Sequence, residues 1–182
     1  MTRAELGTAL FDRSYVRGSF RLRSGVISGE YFDKYQFEAE PRLLLAVSEA
    51  MARLVPPGID ALAGLELGGV PVATVLAQVT DLPVVFVRKQ AKSYGTARLA
   101  EGGPIAGRRL LLIEDVVTSG GQVVDSANAL RALDAVVEHA LCVIDREAGG
   151  AKALAAIGVS LHPLFGYREL QSLAADRYPP PG

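Results

Sequence analysis

Residues 109–133 constrain the fold of this chain more than any other segment. The segment begins with a short apolar run, residues 110–113, of the kind that a fully buried strand shows. A polar loop with two glycines follows. Beyond the loop, a helical pattern places Val124, Ala127, Leu130 and Leu133 roughly on one face. The segment therefore predicts a strand, a short loop and a helix in that order.

The loop Thr118-Ser119-Gly120-Gly121 has the composition of a phosphate-binding loop. Amide groups at the start of a helix have no partner within the helix, and the helix dipole places partial positive charge there. Glycines allow the backbone to approach a ligand closely, and the hydroxyls of Thr118 and Ser119 add donors. We therefore predict that residues 118–122, including Gln122, bind a phosphate group.

Two acids, Glu114 and Asp115, come shortly before this loop, separated from it by Val116 and Val117. A carboxylate beside a bound phosphate would repel it, so the acids are expected to face a different chemical group. Sugar hydroxyls, or a hydrated Mg2+ ion, are groups that carboxylates bind well. Phosphate and diol recognition together suit a ribose 5-phosphate. The simpler interpretation is a buried strand that ends in two solvated acids and a glycine-rich turn.

The rest of the chain alternates between strand and helix signals. Strands are predicted at residues 19–22, 30–33, 61–65, 83–87, 136–144 and 159–164. Helices are predicted at residues 4–12, from 41 to about 54, and at 70–79, 148–157 and 167–176. This alternation implies an α/β fold with a mostly parallel central sheet flanked by helices, whose ligands bind beyond the carboxyl ends of the strands.

Composition excludes several classes of protein. The 182 residues, of which 49% are hydrophobic, fit one compact domain. A net charge of −1 provides no basic field that would attract nucleic acid. No apolar run approaches the ~20 residues that a membrane-spanning helix needs, and the first residues do not resemble a signal peptide. We therefore expect a soluble, cytoplasmic protein that binds neither nucleic acid nor membranes.

A second informative stretch follows the strand predicted at residues 83–87. Arg88, Lys89 and Lys92 lie close together in a polar segment of roughly twenty residues, and loops of this length are usually lids or binding loops. A lid with several cations suits a polyanion such as pyrophosphate, whose departure builds up negative charge. A solvated basic loop is the simpler interpretation.

Several motifs resemble those of a known enzyme family. The sequence IEDVVTSGG resembles the phosphoribosyl-pyrophosphate (PRPP) binding motif of type I phosphoribosyltransferases. RKQAKSYG followed by GTARLAEG is similar to the mobile catalytic loop of the orotate phosphoribosyltransferases, although Tyr94 stands where that family usually has histidine. Residues 20–25 and 28–33 are similar to the segments that form a hood over the base in this family. Gly68 stands where some members have lysine.

The resemblance covers residues from about 20 to about 170 and implies the fold and the reaction. The implied fold is that of type I phosphoribosyltransferases, as a single domain over residues 1–182 with a small N-terminal hood (about 1–40) and a mobile loop (about 88–107). The implied reaction transfers ribose 5-phosphate from PRPP to N1 of orotate, giving orotidine 5′-phosphate and pyrophosphate in pyrimidine (UMP) biosynthesis. Mg2+ would be carried mainly by PRPP and pyrophosphate. The protein would be a homodimer with shared active sites.

The same resemblance assigns roles to individual residues. Lys92 would neutralise the leaving pyrophosphate, and Asp115 would hold the ribose hydroxyls as the second catalytic residue. Tyr31 and Phe32 would flank the pyrimidine. Arg146, which follows the strand predicted at 136–144, would bind the carboxylate of orotate through two parallel hydrogen bonds. The other expected substrate-binding residues are Arg23, Arg88, Lys89, Tyr94, Glu114, Val116, Val117 and the phosphate loop Thr118, Ser119, Gly120, Gly121 and Gln122.

Two alternatives to this reaction stay open at the level of sequence. The first is another phosphoribosyltransferase, acting on a purine or on uracil, which would need neither Arg146 nor the basic loop. The second is a regulatory protein that binds PRPP and controls transcription. The absence of a basic face, and the presence of the loop lysines, disfavour the second alternative.

Overall fold

The central sheet has six strands in the order β5-β4-β3-β6-β7-β8 in this computed structural model, which describes residues 1–21, 25, 27–90, 99–175 and 177–178. All neighbouring strands are parallel except the β4–β5 pair at one edge. The strands are β3 (Ala61–Leu65), β4 (Val84–Val87), β5 (Ala100–Glu101), β6 (Arg109–Val117), β7 (Val136–Asp145) and β8 (Ser160–Gly166).

Helices cover both faces of the sheet. The buried side chains of its central strands alternate between the two faces, and each face needs a helical layer to cover it. Leu111 and Ile113 of β6 point into one core, and Leu110 and Leu112 point into the other. The first core includes residues of α1 (Arg3–Ser14), α3 (Pro41–Ala52), α4 (Gly69–Thr80) and α7 (Tyr167–Leu173), and the second includes residues of α5 (Gly121–Arg131) and α6 (Gly150–Ala155). Among the described residues, no helix combines the length and the apolar character that crossing a membrane requires.

An antiparallel hairpin and a short helix stand beside the carboxyl end of the sheet. The hairpin consists of β1 (Tyr15–Arg21) and β2 (Ile27–Phe32), and the helix α2 (Tyr35–Glu38) follows it directly. Phe11 of α1 anchors the hairpin to the body of the protein, with its ring stacked 5.0 Å from Tyr15 and 6.0 Å from Phe32. We call β1, β2 and α2 the hood.

The predicted alternation of strands and helices is confirmed, with three differences in detail. The strand β6 continues to Val117, so that Glu114 and Asp115 lie inside it, because pairing with β7 extends to Val117 and Asp145. The four-residue helix α2 and the two-residue strand β5 were not expected, since elements this short show no hydrophobic period. The turn predicted around residues 23–25 lies largely outside the described residues.

The order of the strands creates a gap between two loops. After β3, the chain continues to β4 on one side of β3 and later returns to form β6 on its other side. The loops after β3 and β6 therefore begin side by side, and each then leads to a helix on a different face of the sheet. In open α/β sheets, such a switch point is where ligands bind.

Candidate active site

The loops after β3 and β6 meet at this switch point and are joined by a hydrogen bond. Nε2 of Gln122, in the first turn of α5, donates to the carbonyl oxygen of Glu66 at 2.8 Å. The carboxylate of Glu66 in turn accepts a hydrogen bond from the amide of Lys89 at 3.0 Å. The ends of β3, β4 and β6 are thus tied together around one place.

The loop after β6 has an open, polar surface. Thr118 and Ser119 are exposed. Gly120 has a φ of +80° and lies so close to Gly150 that a Cβ there would be 3.1 Å from the neighbouring backbone. A glycine is therefore required at position 120. The backbone amides at the start of α5 lack intrahelical partners and can donate to an anion.

Asp115 lies beneath the loop after β3 and beneath the hood. Its side chain is fully buried, and its Oδ2 atom lies 2.6 Å from Nζ of Lys34. On the other side it touches Gly68, where a Cβ would lie 1.7 Å from Oδ2. No residue with a side chain fits at position 68 in this arrangement. Glu114, the preceding residue, is 7% exposed.

Three carboxyl groups, those of Glu38, Glu114 and Asp115, lie together beside the ammonium group of Lys34. Burial and the hydrogen bond with Asp115 raise the pKa of Glu38 to about 9. Burial and contact with Asp115 also raise the pKa of Glu114 well above its ordinary value. Burial alone would raise the pKa of Asp115, but hydrogen bonds with Glu114 and Glu38 and the charge of Lys34 lower it. Near neutral pH, Asp115 is therefore ionised and Glu38 carries a proton, and burial favours the protonated form of Glu114.

The protonated state of Glu38 predicts how stability depends on pH. The pKa of Glu38 is about 9 in the folded protein, against 4.5 for an ordinary glutamate, so the folded state binds the extra proton between these values. The free energy of unfolding should therefore fall as the pH rises from about 5 to about 9. Glu38→Gln replaces the protonated carboxyl by a neutral group of the same shape, so we expect its melting temperature to fall less over this range.

Thermal unfolding at a series of pH values measures this effect. Glu49→Gln, at an exposed position of α3, is the matched control and should keep the wild-type pH dependence. If Glu38→Gln and Glu49→Gln both follow the wild-type curve, Glu38 does not hold the proton.

A cavity of about 540 Å³ lies between the hood and the carboxyl end of the sheet. Its walls bring together six of the residues predicted from sequence, namely Tyr31, Phe32, Val116, Thr118, Ser119 and Arg146. Tyr31 is 45% exposed and packs against Phe20, with the two ring centroids 5.5 Å apart. The cavity therefore has an aromatic wall on the hood, and a phosphate-binding loop and an arginine on the sheet.

Arg146 is held flat against the wall of this cavity. Its guanidinium carbon lies 3.8 Å from the centre of the Tyr167 ring, and its amide donates to the carbonyl of Val117 at 2.8 Å. Burial raises the pKa of Tyr167, so the phenol stays neutral. Tyr167 is itself fixed by an edge-to-face contact with Phe32, at 5.8 Å. A guanidinium that stacks through its face presents the N–H groups along its edge to a planar anion.

The other predicted residues lie elsewhere. Arg88 and Lys89 follow β4 and do not line this cavity. Val117 is buried, so that only its backbone can take part in binding. Arg23, Lys92 and Tyr94 lie outside the described residues.

Sequence reasoning missed Lys34, Glu38 and Tyr167. Lys34 directly precedes the short helix α2, and Glu38 is its last residue. The two are four residues apart, a spacing that can bring two side chains to one side of a helix. The helix is too short to give a periodic signal. Tyr167 is the first residue of α7 and follows directly on β8, but its contact with Arg146 depends on the pairing of β7 with β8.

Among the described residues, no group of three or more His, Cys, Asp or Glu side chains is arranged to hold a metal ion. Glu38, Glu114 and Asp115 are close to one another, but the raised pKa values of Glu38 and Glu114 favour their neutral forms, and Lys34 pairs with Asp115.

Comparison with known proteins gives a consistent result. The family described as phosphoribosyl transferase domain matches residues 35–159. The orotate phosphoribosyltransferase of Nocardioides sp. is 52% identical over 155 residues, which cover 85% of this chain and 87% of that protein.

Solved structures of Mycobacterium tuberculosis H37Rv orotate phosphoribosyltransferase are also similar to this chain. The complexes with Fe(III) dicitrate and with PRPP have TM-scores of 0.82 and 0.80 and sequence identities of 30% and 28%. Each comparison covers 92% of this chain and 98% of the other. The fold expected from the sequence motifs is therefore confirmed. This chain belongs to the phosphoribosyltransferase family and, within it, to the orotate phosphoribosyltransferases.

Proposed function

We propose that this protein transfers the ribose 5-phosphate group of PRPP to N1 of orotate, giving orotidine 5′-phosphate and pyrophosphate in pyrimidine (UMP) biosynthesis. One observation carries the proposal: a single cavity has the phosphate-binding loop on one wall and the stacked guanidinium of Arg146 on another. A ligand with a phosphate at one end and a planar carboxylate at the other matches these two walls. Orotidine 5′-phosphate is such a ligand.

The ribose 5-phosphate half binds to the end of β6 and the loop after it. Backbone amides and hydroxyls of residues 118–122 hold the phosphate, because the exposed loop and the start of α5 direct donors to one place. Val116 and Val117 contribute backbone to the same loop. Glu114 and Asp115 bind the ribose hydroxyls, for which the ionised Asp115 is the stronger acceptor.

The base lies between the hood and Arg146. Tyr31 and Phe32 flank the pyrimidine ring, and Arg146 binds its carboxylate through two parallel hydrogen bonds. Uracil and the purines have no such carboxylate, so Arg146 distinguishes orotate from them. This assignment is supported by the position of all three side chains on the wall of one cavity.

The pyrophosphate group is bound by the basic residues. Arg88, Lys89, Lys92 and Tyr94 contact it from the loop 88–107, with Lys92 neutralising the charge that develops as pyrophosphate leaves, and Arg23 contributes from the hood. Mg2+ enters as part of the PRPP complex and largely keeps its own waters. The chemistry consists of positioning and of electrostatic stabilisation of an oxocarbenium-like sugar, and no covalent nucleophile is needed.

The proposed organisation follows the same family resemblance. Residues 1–182 form one domain, the hood lies within its first residues (1 to about 40), and the protein works in the cytoplasm as a homodimer with shared active sites. The loop 88–107 closes over the active site of the partner subunit. Arg88 and Lys89 do not line the cavity of their own chain, which is compatible with this sharing of sites.

Consumption of orotate, followed by its ultraviolet absorbance with PRPP and Mg2+ present, tests the proposal. Uracil, hypoxanthine and adenine are assayed under the same conditions. We expect orotate alone to react rapidly. Reaction of another base without reaction of orotate would overturn the assignment of Arg146, and binding of PRPP without any reaction would favour a regulatory protein.

A further inference from the structure

Lys34 is a cation at the active site to which the roles above assign no substrate. Its ammonium group lies 2.6 Å from Oδ2 of Asp115, and its side chain, 31% exposed, also lines the cavity. On the opposite side of Asp115 lies the loop after β3, residues 66–69, which contains an acid and two glycines but no cation. Lys34 therefore supplies positive charge to a loop that has none.

The ion pair of Lys34 with Asp115 cannot persist when substrate is bound as proposed. The Asp115 side chain is fully buried, with Gly68 against its Oδ2 atom and with Lys34, which also lines the cavity, 2.6 Å from the same atom. Gly68 has no side chain, so it can move only if the backbone of the loop moves. Lys34 is a long, flexible side chain that ends in a compact charge. For ribose hydroxyls to reach the Asp115 carboxylate, Lys34 is the group that must withdraw.

A displaced ammonium group needs another anion close by. The 5-phosphate is held by the loop 118–122 and the orotate carboxylate by Arg146, so both of these anions already have partners. Burial raises the pKa of Glu38 to about 9 and raises the pKa of Glu114 well above its ordinary value, so neither carboxyl group favours a negative charge. Pyrophosphate is attached to the same ribose whose hydroxyls displace Lys34, and Arg88 and Lys89, two of the cations proposed to bind it, do not line this cavity.

We infer that Lys34 is a substrate-binding residue that exchanges partners, pairing with Asp115 in this structure and with the pyrophosphate group of PRPP when that substrate binds. This inference rests on the proposed function. The ion pair then covers the ribose site until the substrate displaces Lys34 from Asp115. The ammonium group then contacts pyrophosphate from within the same subunit.

Binding of three ligands to Lys34→Gln tests the inference by isothermal titration calorimetry. The ligands are PRPP and pyrophosphate, each with Mg2+, and orotidine 5′-phosphate, which has a ribose but no pyrophosphate. We expect Lys34→Gln to weaken PRPP and pyrophosphate roughly tenfold or more, the loss of one charged contact. Orotidine 5′-phosphate should bind as well as before or more tightly, because its hydroxyls no longer compete with an ammonium group for Asp115.

Two control variants define the comparison. Lys34→Arg keeps the charge and should retain most of the affinity for pyrophosphate. Arg42→Gln, at an exposed position of α3, removes a cation outside the cavity and should bind all three ligands like the wild type. An equal loss of affinity for all three ligands in Lys34→Gln, or no loss for any, would overturn the inference.

A double variant separates a direct contact from an effect through Asp115, and it avoids leaving one charge of the pair buried alone. If Lys34 contacts pyrophosphate, Lys34→Gln added to Asp115→Asn weakens pyrophosphate further than Asp115→Asn does. If the second substitution has no effect, Lys34 acts only through Asp115 and the inference is wrong. Failure of the wild type to bind any of the three ligands would overturn the proposed function as well. That result differs from failure of the inference about Lys34 alone, in which the wild type still binds the ligands.

Discussion

Arg146→Gln is expected to lower kcat/KM for orotate by roughly two orders of magnitude, because the substitution leaves a desolvated carboxylate without its charged partner, at a cost of about 3 kcal/mol. The loss should appear mainly in the KM for orotate. The KM for PRPP should change little, since Arg146 lies outside the loop 118–122 that is proposed to hold the phosphate. The fold should persist, because Arg146 lines the cavity and its side chain contacts Tyr167 there.

Steady-state kinetics with orotate and PRPP varied in turn, together with thermal unfolding, measure these effects. Arg168→Gln is the matched control. The Arg168 side chain is 83% exposed and lies 4.0 Å from Glu147, and exposed ion pairs of this kind contribute little to stability. An unchanged KM for orotate in Arg146→Gln, or equal effects of the two substitutions, would show that Arg146 does not bind the base.

Asp115→Asn should lower kcat by about 10²–10³-fold, the typical loss when one preorganised electrostatic partner of a transition state is removed. Asp115 is the ionised member of the carboxyl cluster, so its charge is available to bind the ribose hydroxyls and to stabilise a cationic sugar. The fold should remain intact. Asparagine has the same shape, and Lys34, whose side chain is 31% exposed, can turn its charge towards water.

Glu114→Gln is the appropriate comparison for Asp115→Asn. Burial raises the pKa of Glu114 well above its ordinary value and so favours its neutral form, which glutamine resembles, and a smaller loss is expected. Turnover is measured by the orotate absorbance assay, affinity for PRPP by calorimetry, and folding by thermal unfolding. Unchanged turnover and PRPP affinity in Asp115→Asn would contradict the assignment of the ribose site.

The local order of elements could be predicted from the sequence because its signals are local. The apolar run at residues 110–113, the glycine-containing loop and the helical pattern of α5 each lie within a few residues, and the structure has them in that order. The alternation of Leu110, Leu111, Leu112 and Ile113 between two cores follows from the period of a strand. The motifs that resemble those of the family are also short and contiguous in the sequence.

The end of β6 could not be placed in this way. Glu114 and Asp115 are polar, and in the sequence they look like the end of a strand. Pairing with β7 nevertheless continues through both, so that they are buried. Strand pairing involves residues that are far apart in the sequence, and a pattern within one segment carries no information about it.

The sequence by itself determined the α/β architecture, the phosphate-binding loop and the identity of most residues around the cavity, because each depends on neighbours along the chain. Only the tertiary structure decided that Lys34 pairs with Asp115, that Gly68 has no room for a side chain and that Arg146 stacks on Tyr167. It also decided which carboxyl groups are charged. Charge state depends on burial and on nearby groups, and both are fixed only when distant segments of the chain pack together.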